Sequence, residues 1–199
     1  YLLKELTATA NTEAKFLYLS DGGHFENLGI YELVRRGCRL IVATDAGCDP
    51  DYAFDDLGNA LRKCSIDLGA EIDIRLDALR PSDGFKHTKA HHAVGLIHYP
   101  DGNEGVLLYI KASLTGGEAP DILNYATNHP AFPHDTTADQ AFDENQFESY
   151  RKLGFHIGDE LFGAIRIAAE AANVSFTTAA FVAQVSSMAI APKDAGNAA

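Results

Sequence analysis

The chain has 199 residues, 46% of them hydrophobic, and its 28 acidic against 16 basic side chains give a net charge of −12. This length suits one globular domain with a buried core, and three cysteines without CxxC spacing favour reduced thiols over a disulfide framework or a zinc ribbon. The acidic balance argues against nucleic acid as a partner, because phosphate binding needs clustered Lys and Arg, and it disfavours electrostatic docking on an anionic bilayer.

The first part of the chain alternates apolar runs with a helical pattern. Residues 16–19 and 39–46 are apolar runs that predict buried strands, and the second run is typical of a parallel sheet. Between them, residues 27–36 place apolar side chains on one helical face, and Gly37 is positioned to end that helix. The three segments predict a right-handed βαβ unit.

The middle of the chain adds one helix and three strands. Residues 54–64 predict the helix, and residues 71–76 predict a strand whose apolar side chains alternate with charged ones. The turn chemistry of residues 77–88 predicts a surface loop. Two apolar runs, 93–99 and 106–112, flank a link rich in turn residues and predict a β-hairpin.

The last third is predominantly helical. Apolar side chains on one face predict helices at residues 121–128, 142–153, 157–172 and 174–188, and the tail from Pro192 is predicted to be disordered. Together the elements indicate an α/β fold with a mainly parallel sheet, a β-hairpin and a C-terminal helical extension.

The link between the first strand and the first helix is the first candidate for a functional site. Asp21 follows the apolar run, and Gly22 and Gly23 open the backbone. Because ligands in α/β folds collect beyond the carboxyl ends of the strands, Asp21 is a candidate catalytic carboxylate. An ordinary Asp-Gly turn explains the same residues equally well. His24, in the same turn, is expected either to orient a substrate or to cap the following helix.

Other catalytic patterns find no support. None of the eight serines has glycine on both sides in a Gly-x-Ser-x-Gly elbow, and no cysteine lies beside an evident His base. His87, His91 and His92 offer imidazoles, but Gly84 and the adjacent hairpin argue against a helix there. Since no matching carboxylate pattern accompanies them, we favour a solvated or structural role over a metal site.

Four blocks of sequence carry a family resemblance, and the first contains the Asp-Gly-Gly motif. They are residues 19–33, 109–116, 132–140 and 146–151. Together they resemble the C-terminal catalytic part of bacterial patatin-like phospholipases, a family related in fold to the catalytic domain of cytosolic phospholipase A2.

The resemblance implies a three-layer α/β/α fold and a Ser–Asp dyad in place of a triad. Asp21 is then the dyad member that takes the serine proton during attack on an ester and returns it to the leaving alcohol. Gly22 and Gly23 let the backbone and an acyl chain approach closely, while His24 and Asn27 shape the turn or cap the helix. No cofactor and no metal are implied.

The elbow serine and the Gly-rich oxyanion loop of that family are absent from this sequence. Either a missing N-terminal portion supplies them, which we favour, or another chain does, or this chain is inactive. In this interpretation residues 1–76 belong to the catalytic core, and residues 77–199 form a hairpin and a family-specific helical extension of the same globular unit. The intact protein is expected to hydrolyse acyl esters of phospholipids or related lipids.

Two alternatives stay open. A non-catalytic module would bind lipid or protein through the apolar surface of an incomplete sheet, and a metal-assisted hydrolase would use Asp21, His24 and Asp45. No apolar run approaches the roughly 18 residues of a membrane-spanning helix, and no basic-then-apolar leader follows Tyr1. We expect a cytoplasmic protein and leave open whether its intact form associates with a membrane surface.

Overall fold

A computed structural model describes residues 21–81, 87–171, 175 and 177–190, together with the isolated residues Thr7 and Glu13. The predicted strand at residues 16–19 and the predicted disordered tail from Pro192 lie outside the described residues. The described helices and strands, in chain order, are α1 (Ile30–Arg35), β1 (Leu40–Asp45), α2 (Asp55–Leu68), β2 (Glu71–Ile74), β3 (His92–His98), β4 (Glu104–Lys111), α3 (Pro120–Asn128), α4 (Glu144–Ala171) and α5 (Thr178–Ile190).

The four described strands form one sheet in the order β1, β4, β3, β2. Strands β1 and β4 are parallel, with Asp45 opposite Lys111, whereas the β4–β3 and β3–β2 pairs are antiparallel. The α/β class, the hairpin and the C-terminal helices are confirmed. The described sheet is mixed rather than mainly parallel, because the short turn between β3 and β4 allows only antiparallel pairing.

Helices cover both faces of the sheet and produce three layers. Strand β4 shows this most clearly, since Leu107 and Tyr109 join the core cluster that includes side chains of α1 and α2. Leu108 and Ile110, which point the other way, pack in a second cluster with α4. The strand is buried on both sides, which explains its continuous apolar sequence.

Two helices differ from the sequence prediction in their bounds. Helix α1 begins at Ile30 rather than at residue 27, because Gly29 adopts a left-handed φ of +73° before it. Gly37, with φ of +67°, follows its end as predicted. The segments 142–153 and 157–172 form one helix, α4, because its buried side chains continue in steps of four residues through the predicted break. They are Leu153, Ile157, Leu161, Ile165 and Ala169.

None of the described helices is both long enough and apolar enough to cross a membrane.

Candidate functional site

Asp21 opens a single 3₁₀ turn, Gly22–His24. Its carboxylate Oδ1 accepts a hydrogen bond from the N–H of Gly23 at 3.1 Å, and His24 Nδ1 lies 3.1 Å from the carbonyl oxygen of Asp21. Both side chains are exposed. Within the described part of the chain, no donor contacts Asp21 Oδ2. The local geometry is therefore that of an Asp-Gly turn, and it keeps one carboxylate oxygen available.

The two glycines of the motif differ in what surrounds them. A Cβ atom at Gly23 would lie 2.9 Å from Asn27 Oδ1, which is closer than real Cβ contacts allow. A Cβ atom at Gly22 would meet nothing within 4 Å. A side chain at position 23 would therefore displace Asn27, while the described residues leave open space at Gly22.

Glu26 and Asn27 connect the turn to the two neighbouring helices. The buried carboxylate of Glu26 accepts the N–H groups of Leu28 at 2.6 Å and Tyr31 at 3.0 Å, which satisfies free donors around the start of α1. Asn27 Nδ2 donates to Asp56 Oδ2 in α2 at 3.0 Å. Sequence reasoning missed Glu26, although an acidic residue just before a helical pattern is a recognisable capping signal.

Asp45, the second carboxylate considered from the sequence, is buried and fully engaged. Its Oδ1 accepts the N–H of Gly47 at 2.9 Å. Its Oδ2 accepts a hydrogen bond from the Tyr109 hydroxyl and lies 3.0 Å from Lys111 Nζ. Burial, followed by the Asp45 contact, raises the pKa of Tyr109, so the phenol stays protonated and donates.

Asp49 extends these contacts into a group that we call the carboxyl-edge cluster, made of Asp45, Asp49, Tyr109 and Lys111. Lys111 Nζ lies 3.4 Å from Asp49 Oδ2, so one ammonium serves two carboxylates. The cluster stands at the carboxyl ends of the parallel strands β1 and β4. That edge is where α/β folds place ligands, but here the Lys111 ammonium is paired with the carboxylates of Asp45 and Asp49.

A cavity of about 630 Å³ lies beside the loops that follow β1 and β4, and its size is typical of small-molecule sites. His134 lines it and is 7% exposed, and among the described residues neither ring nitrogen has a hydrogen bond of good geometry. Burial, and then the nearby Lys111 ammonium, lower the pKa of His134. Most other lining residues are apolar and come from the loops after β1 and β4, from α3, and from the loop that follows α3. They include Pro50, Tyr52, Leu114, Leu123, Ala126, Phe132 and Pro133.

The residues of the metal-assisted alternative are not brought together. Among the residues that the structure describes, the groups of three or more close metal-ligating side chains do not include Asp21, His24 or Asp45. Asp45 is held by Lys111 and Tyr109 instead. This arrangement leaves Asp21 as the more available of the two carboxylates.

Comparison with known proteins finds one distant similarity. The chain is 27% identical over 132 residues to lysophospholipase NTE1 of Kluyveromyces lactis, and the match covers 58% of this chain and 9% of that protein. The chain thus spans less than a tenth of the curated relative. No protein-family model matches the chain, and no solved structure matches it.

The similar protein is named as a lysophospholipase, and the match covers only a small part of it. That protein is eukaryotic, so the match gives no support for a bacterial origin. The substrate, and the role of each residue in the Asp-Gly-Gly turn, are matters of proposal.

Proposed function

We propose that this chain is the C-terminal part of a patatin-like acyl ester hydrolase and that Asp21 is its general base. The observation that carries the proposal is the contrast between two carboxylates. Asp21 is exposed and no described residue contacts its Oδ2, whereas both oxygens of Asp45 are engaged. The similarity to a lysophospholipase supports an ester of a phospholipid or lysophospholipid as the substrate.

In the proposed reaction, a serine hydroxyl attacks the ester carbonyl carbon while Asp21 takes the hydroxyl proton. The tetrahedral intermediate then collapses, the alcohol leaves with the proton from Asp21, and water hydrolyses the acyl-serine by the same sequence. None of the eight serines of this chain has the elbow pattern, so the nucleophile comes from a preceding portion of the protein or from another chain.

An Asp with its ordinary pKa of about 3.9 is a weak base. In this proposal the bound acyl chain excludes water from the exposed carboxylate during the proton transfer. Gly22 leaves the space for that approach, and Gly23 with Asn27 holds the turn against α2. His24 stabilises the turn through the Asp21 carbonyl oxygen, and no metal takes part in the step.

The test is Asp21→Asn in the complete gene product that contains this chain, with release of fatty acid from lysophosphatidylcholine as the readout. We expect hydrolysis to fall by about 10²- to 10⁴-fold, the usual contribution of a general base. Asp101→Asn is the matched control, because Asp101 Oδ1 accepts the N–H of Asn103 two residues later at 3.0 Å, as Asp21 does from Gly23. Full activity in Asp21→Asn, or an equal loss in Asp101→Asn, would contradict the proposal.

The apolar cavity supports a second candidate, a non-catalytic lipid-binding module. A lining that is mostly apolar, with one buried imidazole, suits an acyl chain with a polar end. Ala126→Trp would fill the cavity and is expected to abolish binding of a fluorescent fatty acid, whereas Ala141→Trp on an exposed loop would not. If fatty acid binding depends on the cavity and the complete protein does not hydrolyse esters, the lipid-binding module is favoured over the hydrolase.

A further inference from the structure

Three side chains with metal-ligating atoms meet where the start of β3 faces the middle of α4. They are His91, His156 and Glu160, and one ligating atom of each lies within 4.8 Å of the other two. Glu160 Oε2 is 3.5 Å from His156 Nε2 and 3.9 Å from His91 Nε2. Bonds of about 2.0–2.2 Å to a tetrahedral zinc ion place neighbouring ligand atoms a little over 3 Å apart, so small side-chain adjustments suffice.

The fold explains how these side chains come together. His156 and Glu160 are four residues apart on α4 and therefore lie on one face of the helix, one turn from each other. His91 immediately precedes β3 and is 2% exposed, whereas the Glu160 side chain is 57% exposed. The group is thus anchored on the protein side and open toward solvent, which provides a path for an ion and room for a water ligand.

The hydrogen bonding of the two imidazoles points to a ligand between them. Within the described part of the chain, His156 Nε2 is buried and makes no hydrogen bond of good geometry, and its nearest charged neighbour is Glu160 Oε2 at 3.5 Å. His91 Nδ1 lies 3.1 Å from Ser113 Oγ, and this contact directs Nε2 toward Glu160 and toward the Thr115 hydroxyl, which lies 3.4 Å from it. In metal sites, a hydrogen bond to the ring nitrogen that does not bind the metal orients the histidine ligand in this way.

A fourth residue, Glu118, adds negative charge beside the group. Its side chain is fully buried, and Oε1 lies 3.6 Å from His91 Nε2. Its carboxylate accepts hydrogen bonds from the N–H groups of Thr115 at 2.6 Å and Gly116 at 2.9 Å, which fix its position beside His91.

We propose that His91, His156 and Glu160 bind a divalent transition-metal ion of the zinc type, with Glu118 as a neighbouring carboxylate. Two imidazole nitrogens and one carboxylate oxygen suit zinc rather than calcium or magnesium, which prefer oxygen ligands. The ion joins α4 to the segment that immediately precedes β3, so its first effect is on the stability of that packing. The proposal does not depend on the proposed hydrolysis.

The first test measures zinc bound by the chelator-stripped full chain in competition with a chromophoric chelator. We expect the parent to bind one equivalent of zinc and Glu160→Gln to bind zinc with an affinity at least about tenfold lower. Even residues that only hydrogen-bond to a metal ligand change metal affinity by about 10–100-fold when they are mutated. Glu170→Gln is the matched control on the same helix, because Glu170 is 62% exposed and pairs with Arg166 instead. Its affinity should equal that of the parent.

A second variant and a second readout guard against an effect on folding. His156→Asn should lose the ion as Glu160→Gln does, while circular dichroism shows the helical content of the parent. Zinc should raise the midpoint of thermal unfolding of the parent and of Glu170→Gln but not that of the two ligand variants. A parent without stoichiometric zinc, or ligand variants that bind it as the parent does, would overturn the proposal.

Discussion

Lys111 and Asp45 form a buried ion pair at the ends of two parallel strands. Lys111 Nζ lies 3.0 Å from Asp45 Oδ2, and the two side chains are 1% and 3% exposed. The two side chains meet because Asp45 of β1 and Lys111 of β4 are register partners in this parallel pair of strands. Since a buried charge is tolerated only when it is paired and hydrogen-bonded, the cluster depends on each of its members.

Lys111→Met should lower the free energy of unfolding by about 3–5 kcal/mol, the usual cost of removing one partner of a buried pair. The substitution leaves Asp45 and Asp49 without their shared cation. Urea unfolding of the full chain measures the change. Lys152→Met is the matched control, because its pair with Asp121 is exposed and should contribute little. Equal effects of the two variants would contradict the stabilising role of the buried pair.

Gly23→Ala should weaken the connection between the Asp-Gly-Gly turn and α2. The added Cβ atom would lie 2.9 Å from Asn27 Oδ1, so Asn27 has to move and its hydrogen bond to Asp56 is lost. We expect a loss of about 1 kcal/mol in unfolding free energy, the net value of one hydrogen bond. Gly22→Ala should show no such loss, because open space surrounds that position.

A double-mutant cycle checks the mechanism of this effect. Asn27→Ala alone should cost about as much as Gly23→Ala, and the two changes together should cost no more than either one. Additive losses would show that Gly23 acts through something other than Asn27.

The sequence predicted those elements whose patterns depend on local structure. The alternation in residues 71–76 and the turn between 93–99 and 106–112 predicted β2 and the hairpin, because side-chain period and turn residues are local properties. The break predicted within α4 was wrong. Gly154 sits on the exposed side of that helix, so it does not interrupt the buried stripe.

The relations between distant residues were beyond the reach of the sequence. His91 was expected to be solvated or structural because no carboxylate pattern stands near it in the chain, yet tertiary packing brings Glu160 and His156 to it from α4. The His156–Glu160 spacing is a signal that sequence reasoning had available. The role of Asp45 likewise depends on Lys111, which only the pairing of β1 with β4 brings close.

His134 should make stability depend on pH below about pH 6.5. Burial, and then the Lys111 ammonium, lower the pKa of His134 from its ordinary value of 6.5. As pH falls, His134 therefore binds a proton in the unfolded chain at a higher pH than in the folded chain. The contribution of His134 to the free energy of unfolding is fully present above about pH 6.5. It is lost as pH falls toward the lowered folded-state pKa, at up to about 1.4 kcal/mol per pH unit.

His134→Leu removes this proton uptake and should flatten the pH dependence relative to the parent in urea unfolding between about pH 5 and pH 8. Ala141→Leu on an exposed loop is the control, since it removes no titratable group, and its slope should match the parent. An unchanged slope in His134→Leu would mean that His134 takes up its proton equally in both states.

The cysteines should differ sharply in reactivity. Cys64 is fully buried, and burial, followed by the nearby charge of Glu26, raises its pKa to about 11, whereas Cys48 is exposed. At about pH 8 only about one Cys64 in a thousand is the reactive thiolate, and the thiol is also shielded from reagents. Iodoacetamide followed by peptide mass mapping should label Cys48 in the folded chain and Cys64 only after unfolding in urea. Rapid labelling of Cys64 under native conditions would show that α2 opens readily from the sheet, because that residue lies within the core between them.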